Sequence, residues 1–244
     1  VAYCAAKLRE VLGGKPEEVL AEVSGNILKN VKSVVVPNTD GRRGIDAAIA
    51  VGIVAGDADA ELQVIANVTE DDAAAIQGYL DATPIKVTCP ETPCLLDIFL
   101  HGKQEGHTAA VRVANNHTNI IYIEKDGDIL LEKPVTANAE DNLQDKSVLN
   151  VKDILTFAET VPLSTIEPII GRQIACNTSI AEEGLKNSWG ANIGSTLLQR
   201  SDDIETQARA WAAAGSDARM NGCEMPVVIC SGSGNQGITA SVPV

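Results

Sequence analysis

The chain has 244 residues, 45% of them hydrophobic, which is enough for one large or two small domains with a real core and excludes a disordered polymer. A net charge of −14 argues against nucleic acid or an anionic membrane as partner. The longest apolar stretch, Ile45 to Ala55, is too short to span a bilayer, and no signal peptide is visible, so the expected location is cytoplasmic. Aromatics make up only 3%, so the core must be built from Ala, Val, Ile and Leu. The six cysteines are spread along the chain without a Cys-x-x-Cys pair and read as reduced thiols. The sequons at Asn67, Asn116 and Asn177 are then chance matches.

The chain opens on Val1-Ala2-Tyr3-Cys4, already helical in character and without a capping residue. It closes on Ser241-Val242-Pro243-Val244 without a polar tail, which reads as a piece of a longer protein. Residues 1–12 read as a helix ended by Gly13-Gly14. Pro16 to Ser24 has strand parity, with Val19, Ala21 and Val23 in register. Gly25 to Asn30 is a polar turn or short helix. Val31 to Pro37 is β-branched and extended, and Asn38-Thr39-Asp40-Gly41 is turn chemistry. Gly44 to Gly56 reads as a buried helix. Two more follow, Asp59 to Ala66 and Thr69 to Leu80, the second with Thr69 as N-cap and Asp71 and Asp72 in its first turn. After Pro84 the period becomes two. Residues 85–88, 95–100, 107–113 and 119–124 read as strands, with a hairpin turn at Lys125-Asp126-Gly127-Asp128 leading into 129–131. Residues 134–147 are polar and mark a boundary. Helices are expected at 151–160, 164–186, around 190–199 and at 203–214. The fold expected is α+β, an antiparallel sheet with helices on one face plus a helical lobe. Its parts would be 1–14 (a helix belonging to the helical lobe), 15–150 (the α+β lobe) and 151–244 (the helical lobe).

The most informative stretch is Ser231-Gly232-Ser233-Gly234-Asn235-Gln236-Gly237, flanked by Pro226 to Cys230 and Ile238 to Ala240. Glycines at this density allow positive φ and close approach to a bound group. Their free N–H groups can cradle a carboxylate or phosphate, the more so if a helix starts near Gln236 or Gly237. Gly232, Gly234 and Gly237 also match G-x-G-x-x-G. That fingerprint needs a βαβ unit and an acidic residue about 20 positions on, whereas the chain stops at Val244. A flexible linker would not be hemmed in by apolar residues on both sides. Cys89, Cys94, His101 and His107 invite a zinc reading, but their spacings match no standard structural site.

Four segments together resemble one family: Asn116-His117-Thr118-Asn119-Ile120; Glu183-Gly184-Leu185 with Trp189-Gly190 and Ile193-Gly194; Ser216 to Met220 with Gly222 and Pro226; and Ser231 to Ala240. The combination resembles the iron–sulfur L-cysteine desulfidase family, related to the alpha chain of bacterial iron–sulfur L-serine dehydratases. The resemblance runs along essentially the whole chain. It implies a 4Fe–4S cluster and not pyridoxal phosphate, with one iron as Lewis acid in an α,β-elimination. Cysteine would give pyruvate, ammonia and sulfide, and serine would give pyruvate and ammonia. The family's cluster cysteines lie in segments absent here, so no metal ligand is expected in this chain. Two loops depart from the family pattern. Lys29-Asn30-Val31 stands for Lys-Asn-Gly, and Pro37-Asn38-Thr39-Asp40 stands for Pro-Gly-Thr-Gly.

Elimination needs a carboxylate holder and a base for the Cα proton. The glycine loop Ser231, Gly232, Ser233, Gly234, Asn235, Gln236 and Gly237 is the first holder, with Ser231, Ser233, Asn235 and the loop amides as donors. Asn116, Thr118 and Asn119 form a second polar cluster around His117, which could donate to a carboxylate or act as base. Lys29, between Asn26 and Asn30, is a further base if burial lowers its pKa. Asp217 and Arg219 are expected to orient the glycine loop as an ion pair. The partner expected is a small amino acid, with homodimerisation left open. The rival reading is a regulatory domain that binds an amino acid or carboxylate on its sheet and catalyses nothing.

Overall fold

The computed structural model describes residues 1–31, 34–135 and 148–244. The chain divides into two units, Val1–Asn142 and Leu143–Val244.

The first unit is organised by a six-stranded sheet of order β2-β1-β3-β4-β5-β6. Strands β3 (Asp97–Gln104), β4 (His107–Ala114), β5 (Ile120–Lys125) and β6 (Asp128–Glu132) form the antiparallel meander read from the sequence. β1 (Glu18–Val23) pairs antiparallel with β3 but parallel with β2 (Ile85–Thr88). The expected sheet is therefore not wholly antiparallel. A parallel pair requires a long crossover, and the chain between β1 and β2 supplies one in helices α2 (Gly25–Val31), α3 (Gly44–Ala55) and α4 (Asp72–Ala82).

Side chains alternate along each strand, and one face is apolar. Val19, Ala21, Val23, Ile98, Leu100, Val111 and Val113 form one buried cluster with α3 and the first helix, α1 (Ala2–Leu12). Helix α1 thus belongs to the sheet unit and not to the helical lobe. Cys4, Ala5, Leu8 and Leu12 recur at helical spacing and lie in that same cluster. The Cys4 thiol donates to the Val111 carbonyl at 3.3 Å, and burial pushes its pKa up to about 12. α1 ends where Gly13 adopts φ 88° and returns its N–H to Arg9. α1 and α3 touch backbone to backbone, since a Cβ on Gly52 would stand 2.3 Å from the Ala2 carbonyl oxygen.

Two helical expectations shift. The stretch 59–66 is a 3-10 helix, Ala58–Gln63, broken at Glu61 (φ 49°). α4 starts at Asp72 rather than Thr69. The Asp72 carboxylate accepts the Thr69 N–H and hydroxyl (2.9 and 3.0 Å), so the acid ties down the turn before the helix. Of the extended stretch Val31–Pro37, residues 32 and 33 lie outside the described set, and Val35 pairs singly with Arg43.

The second unit is helical: α5 (Val151–Thr160), α6 (Leu163–Ile166), a π turn (Glu167–Gly171), α7 (Arg172–Lys186), α8 (Ile193–Leu198), α9 (Ile204–Met220) and α10 (Gly234–Ser241). The single helix read over 164–186 is interrupted where Pro168 lacks an N–H for the regular ladder. α9 runs past its expected end at 214. Gly215, one residue past that expected end, lets α9 approach α10, with a Cβ there 3.0 Å from Ile238. Small residues set the other crossings. A Cβ on Gly184 would meet the Ala214 carbonyl oxygen at 2.1 Å, and one on Gly194 the Ala210 carbonyl oxygen at 2.5 Å. The polar stretch read as a boundary, 134–147, lies mostly outside the described residues.

Candidate functional site

The glycine stretch folds as a tight turn running straight into a helix. Cys230 and Ser233 exchange both main-chain hydrogen bonds, at 3.1 and 3.0 Å, closing a two-residue turn over Ser231 and Gly232. Both central residues have positive φ, 48° and 76°, the signature of a type I′ turn. Glycine takes this conformation freely. A serine there is held by its surroundings, a kind of strain that concentrates at functional sites. Ser233 returns to extended geometry and caps α10, its Oγ accepting the Gln236 N–H at 3.3 Å. The helix therefore begins at Gly234, two residues earlier than Gln236. Among the described residues, the amides of Gly234 and Asn235 find no acceptor.

Arg219, at the end of α9, lies against this helix start. A Cβ on Gly234 would stand 2.5 Å from its Nε, so the guanidinium occupies the space a side chain would need. Arg219 Nη1 donates to Asn235 Oδ1 at 3.0 Å and contacts the Met220 sulfur. Among the described residues no carboxylate pairs with it, and burial draws its pKa below the ordinary guanidinium value. The expected Asp217–Arg219 ion pair does not form. Residues two apart on a helix point to different sides. Asp217 instead accepts the Ile193 N–H at 3.0 Å, holding the start of α8.

Asn177 was read only as a chance sequon. It is fully buried on α7 and clamps the segment leading into the turn. Its Oδ1 accepts the Val228 N–H at 2.9 Å, and its Nδ2 donates to the Val228 carbonyl at 3.1 Å and to Ser241 Oγ at 3.0 Å. Gly237 completes the clamp, since a Cβ there would sit 2.1 Å from the Val228 carbonyl oxygen. The signal available in the sequence was a short polar amide in mid-helix, where such residues are unfavourable unless they bond elsewhere.

The other predicted residues fall in the first unit. Asn116, His117, Thr118 and Asn119 join β4 to β5, as read. The loop is held by its own groups: Asn119 Nδ2 donates to the Ala114 carbonyl at 3.0 Å, and Asn115 adopts φ 68°. His117 is exposed, yet partial burial of its ring still lowers its pKa below the usual imidazole value. Asn26, Lys29 and Asn30 are exposed on α2, with Asn30 Nδ2 donating to Asn26 Oδ1 at 3.2 Å. Lys29 thus lacks the burial that its role as base presumes. On the sheet face away from α1, Arg112 pairs with Asp97 through Nε (2.9 Å) and Nη2 (2.7 Å) and lies over the Phe99 ring at 5.4 Å.

The thiols do not fit a metal cluster. All six cysteines are free, Cys4 and Cys94 are buried, and no three His, Cys, Asp or Glu side chains among the described residues are grouped to hold an ion. The four residues of the zinc reading are otherwise engaged or separate. His101 Nε2 meets Glu22 at 3.0 Å, His107 Nδ1 meets Asp126 at 2.9 Å, Cys89 is exposed, and Cys94 packs with Ala114 and Ile121.

The geometry defines a molecule of two units, a helical one that carries a glycine turn at a helix start and an α+β one with helices packed on its sheet. The family model described as serine dehydratase alpha chain matches residues 59–244, and the chain belongs to that family. It is 45% identical to a UPF0597 protein of Treponema denticola, over all of this chain and 58% of the relative. It is 46% identical to UPF0597 proteins of Desulfitobacterium hafniense and Lachnoclostridium phytofermentans, over all of this chain and 57% and 58% of theirs. The chain thus spans less than three-fifths of the length of these relatives. No solved structure matches it. Among the described residues no helix is long and apolar enough to cross a membrane.

Proposed function

We propose that the chain is the substrate-binding part of an amino-acid lyase that carries out α,β-elimination, with L-cysteine as first substrate and L-serine as second. The observation that carries this reading is the convergence at the start of α10. Two amides without an acceptor and a half-buried guanidinium without a carboxylate partner among the described residues meet the positive end of a helix at one turn. That donor set suits the carboxylate of an amino acid, which the Gly234 and Asn235 amides and Arg219 would hold together.

The elimination begins when a base takes the Cα proton. The electron pair released then forms the Cα–Cβ double bond as sulfide leaves. The aminoacrylate tautomerises and hydrolyses to pyruvate and ammonia. A 4Fe–4S cluster, which the resemblance implies, would be held by ligands outside this chain. A regulatory carboxylate-binding role is the second reading. It draws on a cavity of about 200 Å³ on the outer sheet face, lined by Glu22, Ser24, Thr92, Asp97, Phe99 and Arg112.

The test is Gly234→Val in the full-length enzyme, assayed anaerobically for pyruvate with both amino acids. A valine there displaces Arg219 and fills the carboxylate's place. We expect kcat/KM to fall about 100-fold or more with the fold intact. Wild-type kinetics from this variant would remove the turn from the active site. A wild-type enzyme that releases no pyruvate from either amino acid would leave the regulatory reading.

A further inference from the structure

Helix α5 is well made locally and covered by nothing described. Asn150 caps it, its Oδ1 accepting the Asp153 N–H at 2.9 Å. Val151, Ile154, Leu155 and Ala158 fall on one stripe, while Lys152, Asp153, Thr156 and Glu159 take the opposite side. Yet α5, α6 and the π turn contain no buried residue. Val151 is 73% exposed, Phe157 59%, Leu163 77% and Ile169 69%. No other described element packs along α5.

A ten-residue helix is marginal in water unless its apolar face is packed. Scattered surface aliphatics need no explanation, but a contiguous run of them marks an interaction surface. The sequence just before α5, residues 136–147, has one large aliphatic, Leu143. The three relatives described above extend well beyond the region matched, with 57 to 58% of their length aligned and about two-fifths left over.

We infer that the apolar face running from Val151 through Ile170 is an internal seam. Further apolar helices of the same polypeptide, from the portion the relatives carry beyond this region, seat on it and complete the helical unit. This inference is independent of the activity proposed above. It commits to an occupant in the same polypeptide because the relatives carry about two-fifths of their length beyond the region matched.

The experiment is native-state hydrogen exchange on the full-length polypeptide that carries this sequence, followed by mass spectrometry of peptides covering 151–170. The expected result is amide exchange slowed at least about 100-fold from the unstructured rate, unchanged on dilution to concentrations where sedimentation shows a monomer. A second measurement uses Ile154→Cys, a mild change for a packed site, labelled with a maleimide under native conditions. The new thiol should react at least about 100-fold more slowly than after denaturation. Protection that disappears as a dimer dissociates would make a second copy the occupant and overturn the inference. Fast exchange and fast labelling at every concentration would also overturn it, by showing the face bare.

Discussion

The two units solve the packing problem in opposite ways. The sheet unit fills its core with large branched side chains, among them Leu8, Ile49, Ile53, Leu100 and Val111, all fully buried. The helical unit does the reverse. Its tightest crossings are made by Gly184, Gly194, Gly215, Ala210 and Ala214, and many of its large aliphatics face outward. Buried volume dominates the first, apart from the close α1–α3 contact at Gly52, and close backbone approach dominates the second. One should therefore be broken by removing atoms and the other by adding them.

The largest effect is expected from Gly184→Val. Its Cβ would fall 2.1 Å from the Ala214 carbonyl oxygen, and backbone cannot step aside as a side chain can. We expect a loss of about 4 kcal/mol, enough to unseat α7 from α9. Denaturation followed by circular dichroism should show the helical transition shifted and the sheet unit's signal retained. A variant as stable as wild type would mean that the helices are free to separate, and the contrast between the units would fail.

Next comes Leu100→Ala in the centre of the sheet unit. Leu100 is fully buried in the cluster formed with α1 and α3. Truncation removes transfer energy and leaves a cavity, at a cost of about 3 kcal/mol. Here the loss should appear in the sheet unit's transition. An effect below 1 kcal/mol would show a core able to collapse around the gap, and so looser than its burial implies.

This contrast also explains what the sequence made legible. Strand parity in Ile98-Phe99-Leu100 and Val111-Arg112-Val113 gives away both faces of the sheet, because large residues announce burial by periodicity. The turn chemistry at Ser231 to Gly237 was readable for the same local reason, as positive φ selects glycine. What stayed hidden depends on partners distant in sequence. The helix expected at 203–214 runs on to Met220, and Gly215 within it meets Ile238 of α10. Asp217 and Arg219 read as a pair until the helix turns them apart. Asn177 reads as a chance sequon until Val228 is beside it. Helix α1 carries an apolar stripe that names no partner, and only the assembled sheet shows which surface it covers. The family resemblance reached the helical unit through Glu183-Gly184-Leu185 and Ile193-Gly194. The structure shows that the two glycines in these motifs are contact points between helices.

The smallest effect expected is at the N-terminus of α9, the helix against which α7, α8 and α10 all pack. Asp203 caps it. The carboxylate accepts the Ser201 hydroxyl, the Thr206 N–H at 2.8 Å and the Thr206 hydroxyl at 2.8 Å. These bonds hold its pKa down to about 2, the Ser201 hydroxyl contributing most. A depressed carboxylate pKa means that the ionised form is favoured by folding. Its stabilisation is therefore fully present above the unfolded value of about 3.9 and is lost as pH falls from there through about 2. Asp203→Asn keeps a capping oxygen but cannot titrate. Its melting temperature should lie slightly below wild type at pH 7, and the gap should close as the pH is lowered from 4 to 2. The site is exposed, so added salt should shrink the gap further. The shift belongs to the helical transition alone. Melting curves for variant and wild type that stay parallel down to pH 2 would show that the cap's charge does nothing for α9, and that close approach by itself holds the helical unit together.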